Sequence, residues 1–123
     1  MITNADMTLY NKLDGPDGPQ YYRTHLYGVN WQDTKKAVTG SNGLVTEDRS
    51  EIFVPTDVEA DKAYAKPVAY RTADKDKFFT LAKGDIVVRG IIDYEITAAK
   101  DSNVKHLQNT VDDVMTITSI ATL

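Results

Sequence analysis

The sequence predicts one mainly β domain, a small barrel or sandwich with long loops and one short helix. Three observations carry that expectation. Short segments rich in Val, Ile, Tyr, Phe and Thr recur along the chain, several with apolar residues on one phase of a period-two pattern. Signals containing Gly, Pro and Asp separate them, as turns require. The 123 residues make one domain's worth of chain (1–123), and an apolar content of 41% suits one modest core.

The first strand is expected over residues 7–13, where Met7, Leu9 and Leu13 share a phase and Asn11 interrupts it. Asp14-Gly15-Pro16-Asp17-Gly18-Pro19 then repeats a turn tripeptide. Its glycines supply positive φ; its prolines fix φ and remove a donor. Residues 21–31 form the second strand. Tyr21, Arg23, His25, Tyr27, Val29 and Trp31 fall on one face, and Tyr22, Thr24 and Leu26 on the other, so both faces are expected to be covered at least in part. The two strands make a hairpin across the Asp-Gly-Pro loop.

The alternation then stops. Residues 32–49 (QDTKKAVTGSNGLVTEDR) are polar, with Gly40-Ser41-Asn42-Gly43 at their centre. A long projecting loop is expected around 33–48, and the short apolar steps Ala37-Val38 and Leu44-Val45 also fit a β-ribbon arm. Residues 50–55 read as a strand closed by Pro55, and 56–66 as an acidic segment with room for one helical turn. Pro67 heads an edge-type strand over 67–72. Strands follow at 78–81 and 86–89 around the tight turn Lys83-Gly84-Asp85, and Gly90 breaks or bulges the ladder before a strand at 91–96. The helix is expected over 102–109, capped by Ser102, with Val104 and Leu107 at i, i+3. The last strand region is 111–123, where Val114, Thr116, Thr118 and Ile120 share a phase.

Composition excludes several classes. A formal charge of −4 lacks the basic footprint of a general nucleic-acid binder. The absence of cysteine removes disulfides and thiolate metal sites. No apolar run approaches the ~20 residues that cross a membrane as a helix. Residues 1–6 show no basic region followed by an apolar one, so no signal peptide is expected.

No catalytic, cofactor or metal site can be assembled. His25 and His106 share no ligand spacing. Asp57, Glu59 and Asp61 begin like a calcium loop, but Lys62 replaces the glycine and Val68 the closing glutamate. Gly40 to Gly43 lacks the lysine and helix of a phosphate loop. The pairs Asp93/Glu95 and Asp112/Asp113 show none of the unlike environments that acid–base work needs. Tyr21, Tyr22, Tyr27 and Trp31 could stack bases, yet only Arg23 interleaves them, and a core face with a tyrosine rim fits better. The chain is expected not to be an enzyme.

Four segments carry a resemblance. They are the opening Thr3-Asn4-Ala5-Asp6-Met7-Thr8-Leu9-Tyr10-Asn11-Lys12, then Tyr22-Arg23-Thr24 with Gly28-Val29 and Trp31, then Ile52-Phe53-Val54-Pro55, and finally Gly84-Asp85-Ile86-Val87-Val88 with Gly90. Together they resemble an uncharacterised family of small tailed-phage proteins encoded near capsid and connector genes. More loosely, they are similar to the head-closure, or stopper, proteins that join head to tail. Members of the first family often carry a histidine-tryptophan segment past the last strand, and this chain ends at Leu123 without one.

The resemblance implies a compact β-barrel in a ring of about six or twelve copies, below a portal or adaptor protein and above a tail protein, in the virion. It implies a loop over 33–48 projecting into the DNA channel. Lys35 and Lys36 would then face phosphate, Glu47 and Asp48 would repel it, and Ser41 and Asn42 would form a movable tip. Strand edges for pairing with neighbouring copies are expected at Leu9 and Asn11 in the first strand and at Thr116 and Thr118 in the last. Tail terminator and minor capsid protein are neighbouring structural roles. A nucleic-acid- or ligand-binding barrel is the alternative of another class.

Overall fold

A computed structural model describes residues 2–16, 18–40, 43–97 and 102–120 and, outside 34–49, their side chains. The strands are β1 (Ala5–Gly15), β2 (Gly18–Gly40), β3 (Gly43–Phe53), β4 (Glu59–Ala60), β5 (Ala63–Tyr64), β6 (Phe78–Phe79), β7 (Ile86–Arg89) and β8 (Val114–Thr116). Two short helices, α1 (Pro67–Tyr70) and α2 (Val104–Thr110), complete the described elements. The fold is mainly β. Its principal sheet has the order β3-β2-β1-β7-β8, with β4 beside β2, and curls into a half-barrel. β5 and β6 form a separate parallel pair.

The hairpin of β1 and β2 is the centre of the sheet. Its antiparallel register runs from Asp6 opposite Tyr27 to Gly15 opposite Gly18, so the Asp-Gly-Pro segment makes the expected turn. Gly28 is an extra residue in this ladder: Ala5 pairs with Val29 while Asp6 pairs with Tyr27. Its φ of +92° is one that side-chain-bearing residues rarely adopt, and its N–H donates to Asp6 Oδ1 at 3.0 Å. The bulge corrects the expected faces. A one-residue insertion inverts the phase beyond it, so Val29 and Trp31 join Leu26 in one core instead of sharing the side of Tyr21 and Arg23.

The half-barrel has apolar residues on both faces. On one side Met7, Leu9, Leu26, Val29, Trp31 and Val87 pack with Phe79 and with Ile52, Val54 and Leu81. On the other Tyr10, Ile86 and Val88 pack under Leu107 of α2 and Ile96, with Ile92 and Tyr94 at the margin. β1 sits between β2 and β7, and its residues 7–11 are all buried. Leu9 and Asn11 are therefore interior positions, and the expected free edge at the first strand is corrected. Thr116 lies on β8, which ends the sheet order; Thr118 lies just past it.

Other elements differ for local reasons. Residues 33–48 extend the β2–β3 hairpin, the arm of the two forms considered. Pro67 begins a helix, not a strand: its fixed φ and missing N–H suit the first helical position. Residues 91–97 hold Ile92 and Ile96 against the second core without strand pairing, because Gly90, at φ +99°, turns the chain off β7. There Gly90 N donates to Asp6 O at 2.7 Å, Thr8 Oγ1 donates to Gly90 O at 2.8 Å and Ile92 N donates to Thr8 Oγ1 at 3.0 Å. α2 is capped by Asn103, whose side chain accepts from His106 N at 2.9 Å, one residue after the expected cap.

Replacing Gly28 by alanine is expected to cost about 1–2 kcal/mol, chiefly from the positive φ, since Thr3 stands at ordinary contact distance from the added carbon. Leu9→Ala is expected to cost about 2–5 kcal/mol. Urea denaturation of the two variants measures both.

Candidate functional site

The candidate site is the two-stranded arm and its root. β2 has 23 residues, and only its first part belongs to the half-barrel. From Asn30 opposite Phe53 to Gly40 opposite Gly43 it pairs with β3 alone among the described residues. At about 3.3 Å per residue, the stretch from Asp33 to Gly40 reaches roughly 23 Å. The register sets Lys35 opposite Asp48 and Lys36 opposite Glu47. The three basic residues Lys35, Lys36 and Arg49 are matched by the acidic Asp33, Glu47 and Asp48, so the arm is formally neutral. Ser41 and Asn42 lie outside the described residues.

The root is densely bonded. Trp31 is buried at 2% exposure, and its indole N–H donates to Asp33 Oδ1 at 2.9 Å. Ser50, directly opposite Asp33, donates its hydroxyl to the same oxygen. Arg89 of β7 approaches Asp33 Oδ2 at 3.4 Å. Asn4 clasps the strand just before this point: its Nδ2 donates to Trp31 O at 2.9 Å and its Oδ1 accepts from Trp31 N at 2.8 Å, a copy of ladder bonding by a side chain. Asn30 Nδ2 donates to Ile2 O at 2.8 Å.

Asp85, 2% exposed, pins the first core from below. Its carboxylate accepts from Asn11 Nδ2 at 2.8 Å, Lys12 N at 3.0 Å and Ala82 N at 3.0 Å. Asn11 also donates to Thr80 O at 2.6 Å and accepts from Thr80 N at 3.2 Å. Burial pushes the Asp85 carboxyl above the usual carboxylate range, against the opposing pull of these donors.

The two histidines have structural partners. His25 Nε2 faces Ile92 O at 2.8 Å and its Nδ1 faces Asp61 Oδ2 at 3.2 Å, tying β2 to two loops. His106 Nδ1 meets Tyr94 OH at 2.8 Å, with the rings stacked. Tyr10 OH donates to Tyr94 O at 2.6 Å, and burial raises its pKa. Among the described residues no group of three or more His, Asp or Glu is arranged to hold a metal ion. Glu59 lies in β4, so the acidic segment resembling a calcium loop is instead a sheet strand followed by a turn.

An open groove of about 350 Å³ runs along Tyr21, Tyr22 and Arg23 toward Lys62, Asp76 and Glu95. Arg23 pairs with Glu95 at 2.9 Å, and Lys62 Nζ donates to Arg23 O at 2.7 Å while burial holds its ammonium pKa below the usual range. Along this seam one ion pair joins Arg23 and Glu95, while the Lys62 ammonium is held by a backbone carbonyl. The four aromatics of the second strand form no common stacking platform, because the Gly28 bulge sends Trp31 into the first core while Tyr21 packs against the second.

Sequence reasoning missed Asp33 as the node of the root, and Asn11 and Asp85 as a buried pair. Asn11 left a signal as the lone polar residue on an apolar phase. Asp33 left none that marked it as a node, since two of its partners, Ser50 and Arg89, are distant in sequence.

Asp85→Asn is expected to destabilise the fold by about 1–3 kcal/mol, since an amide NH2 would face a backbone or Asn11 donor. Because the folded-state pKa is raised, the stability Asp85 contributes is full below its ordinary value of about 4 and is lost as pH rises through the folded value. The stability advantage of the parent over Asp85→Asn should therefore shrink with rising pH above about 4 and then level off. Denaturation curves across an acid-to-neutral pH series measure it.

The chain belongs to a family of unknown function (DUF6751), which matches residues 2–123. No curated protein and no solved structure matches it.

Proposed function

We propose that this member of the DUF6751 family is a structural virion protein of a tailed phage, a head-closure (stopper) component of the head-to-tail connector. In this reading several copies form a ring around the DNA channel, between a portal or adaptor protein and a tail protein, and each copy directs its arm toward the axis. The observation that carries it is the arm itself, a ribbon reaching roughly 23 Å from a half-barrel of which it is a direct continuation. A two-stranded ribbon without a third strand spends chain on reach rather than on core, which suits a part that works on something outside the domain.

Electrostatics favours the same reading. DNA must slide past a closure ring without sticking, and three basic against three acidic residues over 33–49 give a ribbon with no net charge to attract phosphate. Ring closure needs heterologous contacts, and the two ends of the open sheet, β3 and β8, supply two different surfaces for them. This moves the cross-copy contact away from β1 and keeps Thr116 near it. Tail terminator and minor capsid protein use similar small β domains. A nucleic-acid-binding barrel is less favoured, since Trp31 is committed to the core.

Replacing residues 35–48 by an Asn-Gly turn tests the proposal. The shortened chain is expected to unfold within about 1 kcal/mol of the parent, since among the described residues the removed ladder pairs only with itself. Particles carrying it are expected to assemble and package DNA but to lose it before tail attachment. Cryo-electron imaging of particles labelled on this chain is expected to place density at the head–tail junction. Label spread over the head, or particles that retain DNA normally without the arm, would overturn the reading.

A further inference from the structure

We infer that Asp33 is a latch that fixes the direction in which the arm leaves the half-barrel. Among the described residues the ribbon beyond this residue has only its own two strands, so its direction relative to the sheet is set where it leaves the sheet. A two-stranded ribbon twists and bends readily unless something outside it resists. At the root, one carboxylate meets three elements of different origin. Oδ1 accepts from the indole of Trp31, which is buried in the first core, and from Ser50 on the facing strand. Oδ2 takes the guanidinium of Arg89, which belongs to β7 and reaches over the intervening β1.

The contacts divide the labour. The bond from Trp31 references Asp33 to the core; the bond from Ser50 locks the two ribbon strands together at the same register position; the pair with Arg89 stops the ribbon from swinging away from the middle of the sheet. The pair with Arg89 is half exposed, with side-chain exposures of 36% and 50%, so salt screens it, whereas the two neutral donors are insensitive to salt. Among the described side chains, arm direction is therefore held by one contact that ionic strength loosens and two that it leaves in place. A channel filling with DNA and its counterions is a setting in which such a contact would respond. The inference deepens the connector reading and rests on the arm being its working part, but its test is made on the isolated chain.

The chain has no cysteine, so Thr39→Cys in the arm and Lys105→Cys on the exposed side of α2 give a clean spin-label pair. The parent pair is expected to show one narrow distance distribution. Asp33→Ala is expected to broaden it about twofold or more, and Arg89→Ala to broaden it by a smaller amount. In about 1 M NaCl the parent should approach the Arg89→Ala distribution. If Asp33→Ala fails to fold by circular dichroism, Asp33→Asn replaces it; the amide oxygen keeps an acceptor for Trp31 and Ser50 and loses the charge facing Arg89, so it should match Arg89→Ala. Distributions for folded Asp33 variants that superimpose on the parent would overturn the latch. Altered distances in variants whose particles still retain DNA would leave the latch standing and count against the connector reading.

Discussion

Strand β1 is buried on both faces, and the rest of the fold is arranged to make that possible. Met7 and Leu9 point into one core and Tyr10 into the other, while the polar side chains between them are fully engaged. Thr8 closes the turn at Gly90, and Asn11 holds Thr80 and Asp85. A strand of this kind cannot lie at an edge, since its own ladder groups and both its faces need partners. β2 and β7 supply the ladders. The segment carrying Phe79 and Leu81 covers one face, and α2 with residues 92–96 covers the other.

Burying polar groups on such a strand has a cost that bonding offsets. Asp85 is held by three donors and, among the described residues, has no cationic partner in its cage, so it balances desolvation against hydrogen bonds. That cage fixes the turn before β7 onto the end of β1, which in turn fixes where β7 pairs. Gly28 does the corresponding work at the other end of the hairpin. By inserting one residue it delivers Trp31 to the core that Leu26 already occupies, and so places Asp33 beside Arg89 rather than on the opposite face.

The arm and the core are thus one continuous strand put to two uses. The same β2 that pairs with β1 through Val29 pairs, among the described residues, only with β3 beyond it. Load on the ribbon would pass directly into the Trp31 region, where Asn4 and Asp33 grip the strand from the N-terminal segment and from the root. A rigid scaffold carrying an extended element is the general way for a small domain to act at a distance from itself.

What the sequence by itself determined was local. The Asp-Gly-Pro turn, the strand at Ile86–Arg89, the break at Gly90 and a helix near 104–110 all follow from residue types whose preferences act within a few positions. The alternation of Ile92, Tyr94 and Ile96 correctly marked a face turned to a core, but burial phase carries no information about ladder partners, and that segment has none among the described residues. Pro67 fits a strand start and a helix start equally well, and only its surroundings chose the helix. The tertiary structure alone decided that β1 is central, that Trp31 and Tyr21 face different cores, and that Asp33, Ser50 and Arg89 meet. Each depends on register between segments far apart in the chain, and a single bulge residue inverts every face beyond it.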